Sequence, residues 1–132
     1  MVFDTTQFAP LGLAVLRLVV GGVFVSHAVP KIEDPESTRQ FFASVDLPES
    51  IYLVYLALAI EIVAGTLLAI GLYTQLAALV LTGFMLVATY VAVEKMHKEF
   101  AGGYEVDLLL LAAVFMFYLN GPGMYALDAL MH

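Results

Sequence analysis

The chain contains no cysteine. A disulfide framework, a thiol nucleophile, an iron–sulfur cluster and a Cys-based zinc site are therefore excluded. Redox chemistry in such a chain has to run through a bound cofactor or a partner protein. Basic residues are also scarce: five Lys and Arg stand against twelve Asp and Glu, for a formal charge of −7. No basic run is present to track phosphates, so nucleic acid is not an expected partner. The opening "MVFDTTQFAP" lacks the positive stretch of a signal peptide, and the segment is expected to be retained. Charge of either sign is sparse, at 13% of 132 residues.

Apolar residues fill the space that charge leaves. They make up 62% of the chain, and the mean hydropathy is +0.95. A soluble protein carries about 45–50% apolar residues. Too few polar side chains remain to cover a water-facing globule, which points to a single integral membrane domain over residues 1–132. Four apolar segments stand out, at 11–29, 51–73, 76–93 and 103–119. A bilayer core needs roughly 20 helical residues to cross. No segment shows the alternating polarity of β-barrel strands. Backbone groups in lipid must pair within their own segment, so the expected fold is all-α, a four-helix transmembrane bundle.

The connections refine this picture. Only "TQ" separates the second and third segments, which implies a tight antiparallel hairpin. The first loop, 30–50, contains "DPESTRQFFASV". Asp34 suits an N-cap and Pro35 a first helical position, and Phe41 and Phe42 suit an interfacial helix over about 35–44. Pro48 and Glu49 are expected to open the second span in the same manner. Lys31, Arg39, Lys95 and Lys98 all fall in loops 30–50 and 94–103. The positive-inside rule places those loops in the cytoplasm and both termini outside the cell membrane.

The polar residues inside the spans carry the functional reading. Glu61 sits near the middle of "YLALAIEIVAGTLLAIGLY". A charge at the bilayer centre costs about 2.5–3.5 kcal/mol on insertion scales, so it faces the bundle interior and pairs. Glu61 shares its helical face with Ala57, Gly65 and Ala69, small residues that admit a neighbouring helix. Arg17 is the expected partner. At about 1.5 Å per residue the two differ in depth by about 6 Å, within reach of an arginine, and Gly21 lies one turn from Arg17. The bland alternative is an ion pair that only fixes helix register.

A second group is expected nearer the cytoplasm. His27 and Lys31 share a helix face, His97 follows the third span, and "GGYEVD" starts the fourth. Only one of Glu105 and Asp107 can face inward. Glu105 is chosen, because Leu109, Ala112 and Met116 continue its face. Taken singly, Lys31 is a snorkelling lysine, His27 a satisfied core histidine and His97 a solvated loop residue. Together with Arg17 and Glu61 they suit proton-coupled binding of a quinone head group, whose carbonyls need donors and whose reduced form releases protons to carboxylates. Metal and haem are not expected. Haem b needs two facing axial histidines, and His97 lies beyond its helix. "EKMH" at 94–97 is a lone copy of the Glu-x-x-His spacing of di-metal bundles.

Three stretches resemble the DoxX family of small four-helix membrane proteins: "LRLVVGGVFVSHAVPKI" with its Phe-containing loop, "LALAIEIVAGTLLAIGLYTQLAAL" and "GGYEVDLLLLAAVFMFYLNGPGMYALD". The similarity runs over about residues 11–128. The family's His-Gly-x-x-Lys reads "HAVPK" here, Gln75 stands where an arginine is frequent, and Ala126 occupies a serine neighbourhood. The resemblance implies Arg17, His27, Lys31, Glu61 and Glu105 as family-pattern polar residues. It also implies kinship with membrane subunits of thiosulfate:quinone oxidoreductase, or with membrane components of oxidative-stress complexes.

The resulting expectation is a quinone-interacting oxidoreductase subunit in the lipid bilayer, served by a soluble redox partner. Glu61, Glu105 and His97 take catalytic roles in it, and Arg17, His27, Lys31 and Glu61 hold the ligand. The alternatives are a non-catalytic anchor for a soluble partner and a small carrier. The carrier needs a homodimer, which Gly- and Ala-rich faces permit.

Overall fold

In an apolar solvent each backbone amide must find its partner within its own segment. The computed structural model, which describes residues 3–131, meets that demand with helices and has no strand among those residues. Helix α1 covers Ala9–Glu33 and α2 covers Pro35–Ser44. Helices α3 and α4 cover Ile51–Ile70 and Thr74–Lys95. Helix α5 covers Glu105–Asn120 after an irregular turn from Phe100 to Tyr104. With that turn included in α5, the four helices α1, α3, α4 and α5 are each long and apolar enough to span a membrane. The protein is a four-helix membrane bundle.

Several boundaries differ from the sequence reading, for local reasons. Helix α1 does not stop at residue 29 but runs through Pro30 to Glu33. This extra turn carries Lys31 within the helix. Helix α2 begins as its capping chemistry dictates: Asp34 Oδ1 accepts from the Ser37 amide at 3.0 Å, and Pro35 fills the first turn. Helix α3 is opened by Ser50 rather than by Pro48 and Glu49, with the Ser50 hydroxyl accepting from the Tyr52 amide at 3.2 Å. The hairpin turn is not "TQ". Gly71 ends α3 in the left-handed conformation, at φ 74°, and Thr74 and Gln75 already belong to α4.

Helix α1 packs on the second half of α3, and α4 packs on α5. The first contact is between backbones. A Cβ added to Gly21 would stand 2.5 Å from the Gly65 carbonyl oxygen, so only glycine permits this approach. Val20, Phe24, Leu68, Leu81, Val114 and Phe117 interlock in the common core. Lipid is as apolar as these side chains, so close packing and dispersion hold the helices together rather than water exclusion. The outer faces carry Val15, Val19, Leu76, Leu86, Leu109 and Leu119. An apolar surface of that extent suits acyl chains and not water.

Helices α3 and α4 also contain π turns, at Ile60–Ala64 and Val91–Lys95. Each widens its helix by a residue and rotates the remainder of the helix about its axis. The first contains Glu61. Both border a cavity at one end of the bundle.

Candidate functional site

The end of the bundle that carries loops 30–50 and 94–103 is hollow. A cavity of about 650 Å³ lies between the last turns of α1, the underside of α2, the first half of α3 and the second half of α4. Its wall is mostly apolar, with Phe41, Phe42, Leu53, Ala57, Phe84 and Val91 among its residues. Ligand pockets commonly measure about 300–1,000 Å³ and combine such a wall with a few placed polar groups. Here the ionisable ones are His27, Lys31, Glu61, Lys98 and Asp107, with the hydroxyls of Ser37 and Thr38 beside them.

Lys31 and Glu61 form the polar centre. Lys31 Nζ stands 3.0 Å from both carboxylate oxygens of Glu61 and also donates to the His27 carbonyl at 3.2 Å. The Glu61 side chain is 3% exposed and that of Lys31 18%. Two features of local structure make the pair. The extra turn of α1 brings an ammonium back into the bundle, and the π turn of α3 sets Glu61 on the inner face. An ammonium has three donors, and three acceptors surround this one. The carboxylate keeps lone pairs beyond those turned to Lys31, and Glu61 borders the cavity. The His27 side chain is exposed and lines the same cavity.

Arg17 does not meet Glu61. Its guanidinium turns to the opposite end of the bundle and donates to the carbonyls of Ala69 at 3.3 Å, Pro122 at 2.8 Å and Tyr125 at 2.6 Å. Arg17 is 3% exposed. It clasps the last turn of α3 to the segment after α5, where Gly121 and Gly123 turn the chain with positive φ. Gly71 belongs to this clasp: a Cβ there would run into Ala126 and stand 3.0 Å from Arg17 Cζ. Asp128 completes it, its carboxylate accepting from the Tyr73 and Thr74 amides at 2.6 and 2.8 Å, which caps α4. The helix-end carbonyls and the Gly-Pro-Gly turn were a readable signal for such acceptors. The cap from Asp128, distant in sequence, had none.

The group expected near the cytoplasm divides. His27 and Lys31 reach the cavity. His97 is exposed and stands outside its lining. Glu105 is also outside, since its Oε1 accepts from the Gly102 amide at 2.7 Å and so closes the turn that starts α5. The inward acid of α5 is Asp107, on the face continued by the buried Leu110, Val114 and Phe117. Lys98 joins the lining, which sequence reasoning did not single out. Among the described residues no three His, Asp or Glu side chains converge as a metal site would require.

Around the mouth, exposed charges tie α2 down. Arg39 pairs with Glu36 on its own helix and with Glu49 at 2.6 Å, and Lys95 pairs with Asp46 at 3.0 Å. The Glu36 carboxyl is held below its ordinary range by the hydrogen bond from Arg39, and the Arg39 guanidinium is raised in turn by Glu36.

Comparison with known proteins gives a consistent set of relatives. The DoxX family profile matches residues 12–94. CatD of Bacillus subtilis, provisionally named an oxidoreductase, is 35% identical over 89% of this chain and 85% of its own length. A membrane protein of Mycobacterium tuberculosis is 29% identical over 90% of this chain and 80% of its own. The inner membrane protein YphA of Escherichia coli is 23% identical over 96% and 94%. No solved structure matches the chain significantly.

Proposed function

The chain belongs to the DoxX family, and on that premise we propose that it is a membrane subunit of an oxidoreductase system, binding a quinone or similar small hydrophobic ligand in the Lys31–Glu61 cavity. The observation that carries this reading is a bidentate ion pair set into the wall of an apolar cavity of about 650 Å³. The similarity to CatD supports the oxidoreductase class. In this reading the His27 ring donates to a head-group carbonyl, and Glu61, held in place by Lys31, accepts from a head-group hydroxyl. Asp107, at the rim, passes protons to water. Reduction of the quinone takes up two electrons and two protons, and oxidation of the quinol returns them. The electrons cross to or from a soluble redox partner at the loop end, which lies in the cytoplasm by the positions of Lys31, Arg39, Lys95 and Lys98.

One test is extraction of lipids from the protein purified in mild detergent. Quinone at near-stoichiometric amount in the wild type, and its loss from a folded His27→Ala variant, are expected. A wild type without quinone, together with intact complementation by His27→Ala, defeats the proposal. That outcome favours a non-catalytic anchor, a reading supported by the three internal acceptors that surround the Lys31 ammonium.

A further inference from the structure

The cavity has two ways out, and they differ. Toward the loop end it is roofed by α2, whose Thr38 and Phe41 line it. Exposed ion pairs lie at its edges, Arg39 with Glu49 and Lys95 with Asp46 just past α2. Toward the lipid the wall is open. Helices α3 and α4 pack along Ile60–Ile70, near their hairpin, and no comparable packing joins Ile51–Ala59 to α4. Phe84 reaches across the gap to Phe42, Val54 and Ala57. Beside it, Leu56, Gly83 and Val87 line the cavity and are also exposed on the outer face of the bundle. A residue that does both forms a rim, as His27, Pro30, Phe41, Met96 and Lys98 do at the loop end. Gly83 leaves a notch in this rim, since a Cβ built there meets nothing within 4 Å.

We infer that ligands reach the Lys31–Glu61 pair sideways from the bilayer, through the slot between α3 and α4 at Gly83, and that the ligand is an amphiphile whose long apolar tail stays in the slot. This rests on the reading of the cavity as a ligand site and adds its route and ligand class. The chemistry of the route is complementary at both ends. The Glu61 carboxylate offers an acceptor and the His27 ring a donor to a compact polar head, and Leu56, Val87 and Phe84 offer only apolar contact to the tail. A head group alone leaves the slot empty. A tail lets the ligand exchange with the membrane without passing through water.

Gly83→Phe fills the notch, Gly83→Ala leaves it open, and Leu56→Trp narrows it from the other wall. Each protein is reconstituted in nanodiscs containing a long-chain isoprenoid quinone and phospholipid. The bound amphiphile is identified by mass spectrometry after detergent exchange, with a short-chain quinone as the tail-less probe. The wild type and Gly83→Ala are expected to retain a tailed amphiphile. Gly83→Phe and Leu56→Trp, whose added bulk takes the space of the tail, are expected to retain about tenfold less, the loss of about two buried methylenes of tail contact. The tail-less probe binds all four alike. Because Gly83 and Leu56 face outward, unfolding midpoints should coincide, and agreement between the two walls guards against a folding defect in either variant. Equal retention of the tailed ligand in wild type and both blocked variants overturns the slot while leaving the quinone reading intact. Retention of a phospholipid in place of quinone, lost in the blocked variants, keeps the slot and removes the quinone. A wild type that holds no amphiphile overturns the inference.

Discussion

Lys31→Met removes one charge of the buried pair and keeps a side chain of similar length. It leaves the Glu61 carboxylate, 3% exposed, without its ammonium. In water-soluble proteins, removing one partner of a buried pair costs about 3–5 kcal/mol. Two effects bound the figure here. Polar contacts between membrane helices average about 0.6 kcal/mol, because the unfolded chain in detergent or lipid also finds partners. A carboxylate of ordinary pKa near 4.3 can be neutralised at pH 7 for about 3.7 kcal/mol, which caps the penalty. The expected loss is therefore about 2–3.5 kcal/mol, nearer the cap because Glu61 is buried and three contacts vanish together. Equilibrium unfolding in mixed micelles measures it. The double variant Lys31→Met, Glu61→Gln should recover at least about 1 kcal/mol, the scale of coupling between residues in direct contact. A Lys31→Met protein as stable as wild type, or a double variant whose loss is the sum of its singles, refutes a coupled buried pair.

The opposite end of the bundle supplies further predictions. Arg17→Met frees three carbonyls and should cost about 1.5–3 kcal/mol for the charged hydrogen bonds lost, with faster hydrogen exchange over residues 121–128 and no change at the cavity. Unaltered exchange there counts against the clasp. Gly21→Val pushes a side chain into the Gly65 carbonyl and should destabilise by about 1–3 kcal/mol or prevent folding, whereas Gly22→Val, with open space around it, should be near neutral. Glu36 predicts a pH effect. Its folded carboxyl titrates below the unfolded value, so the tie to Arg39 contributes in full above about pH 4.3 and is lost as pH falls through the folded pKa. Hydrogen exchange in α2 should rise over that acidic range, and Arg39→Gln should abolish the dependence.

Much of the bundle was legible because membrane constraints are severe. Span number, the small-residue faces at Gly21 and at Gly65 and Ala69, and the inward burial of Glu61 all follow from the demand that lipid meet no charge and that helices touch closely. The errors arose where that demand is silent. Rise counted along two helices pairs Arg17 with Glu61 and cannot register the carbonyl acceptors supplied by the turn after α5. It also omits the added turn of α1 past Pro30, which places Lys31 opposite Glu61. The choice of Glu105 over Asp107 failed for another reason. Helix α5 is apolar on all sides, so its pattern carries no phase, and Leu109, which guided the choice, faces lipid. Asp107 lies on the side that the core residues Leu110, Val114 and Phe117 define.

The most direct measurement of the proposed site is photocrosslinking with an azido-quinone in native membranes, with the labelled peptides then mapped. Label is expected on the segments around Lys31, Glu61 and Phe84, competed by unmodified quinone and lost in a folded Lys31→Met, Glu61→Gln protein. Label confined to the Arg17 end, or label at the cavity that the double variant retains in full, contradicts a quinone site at the Lys31–Glu61 pair.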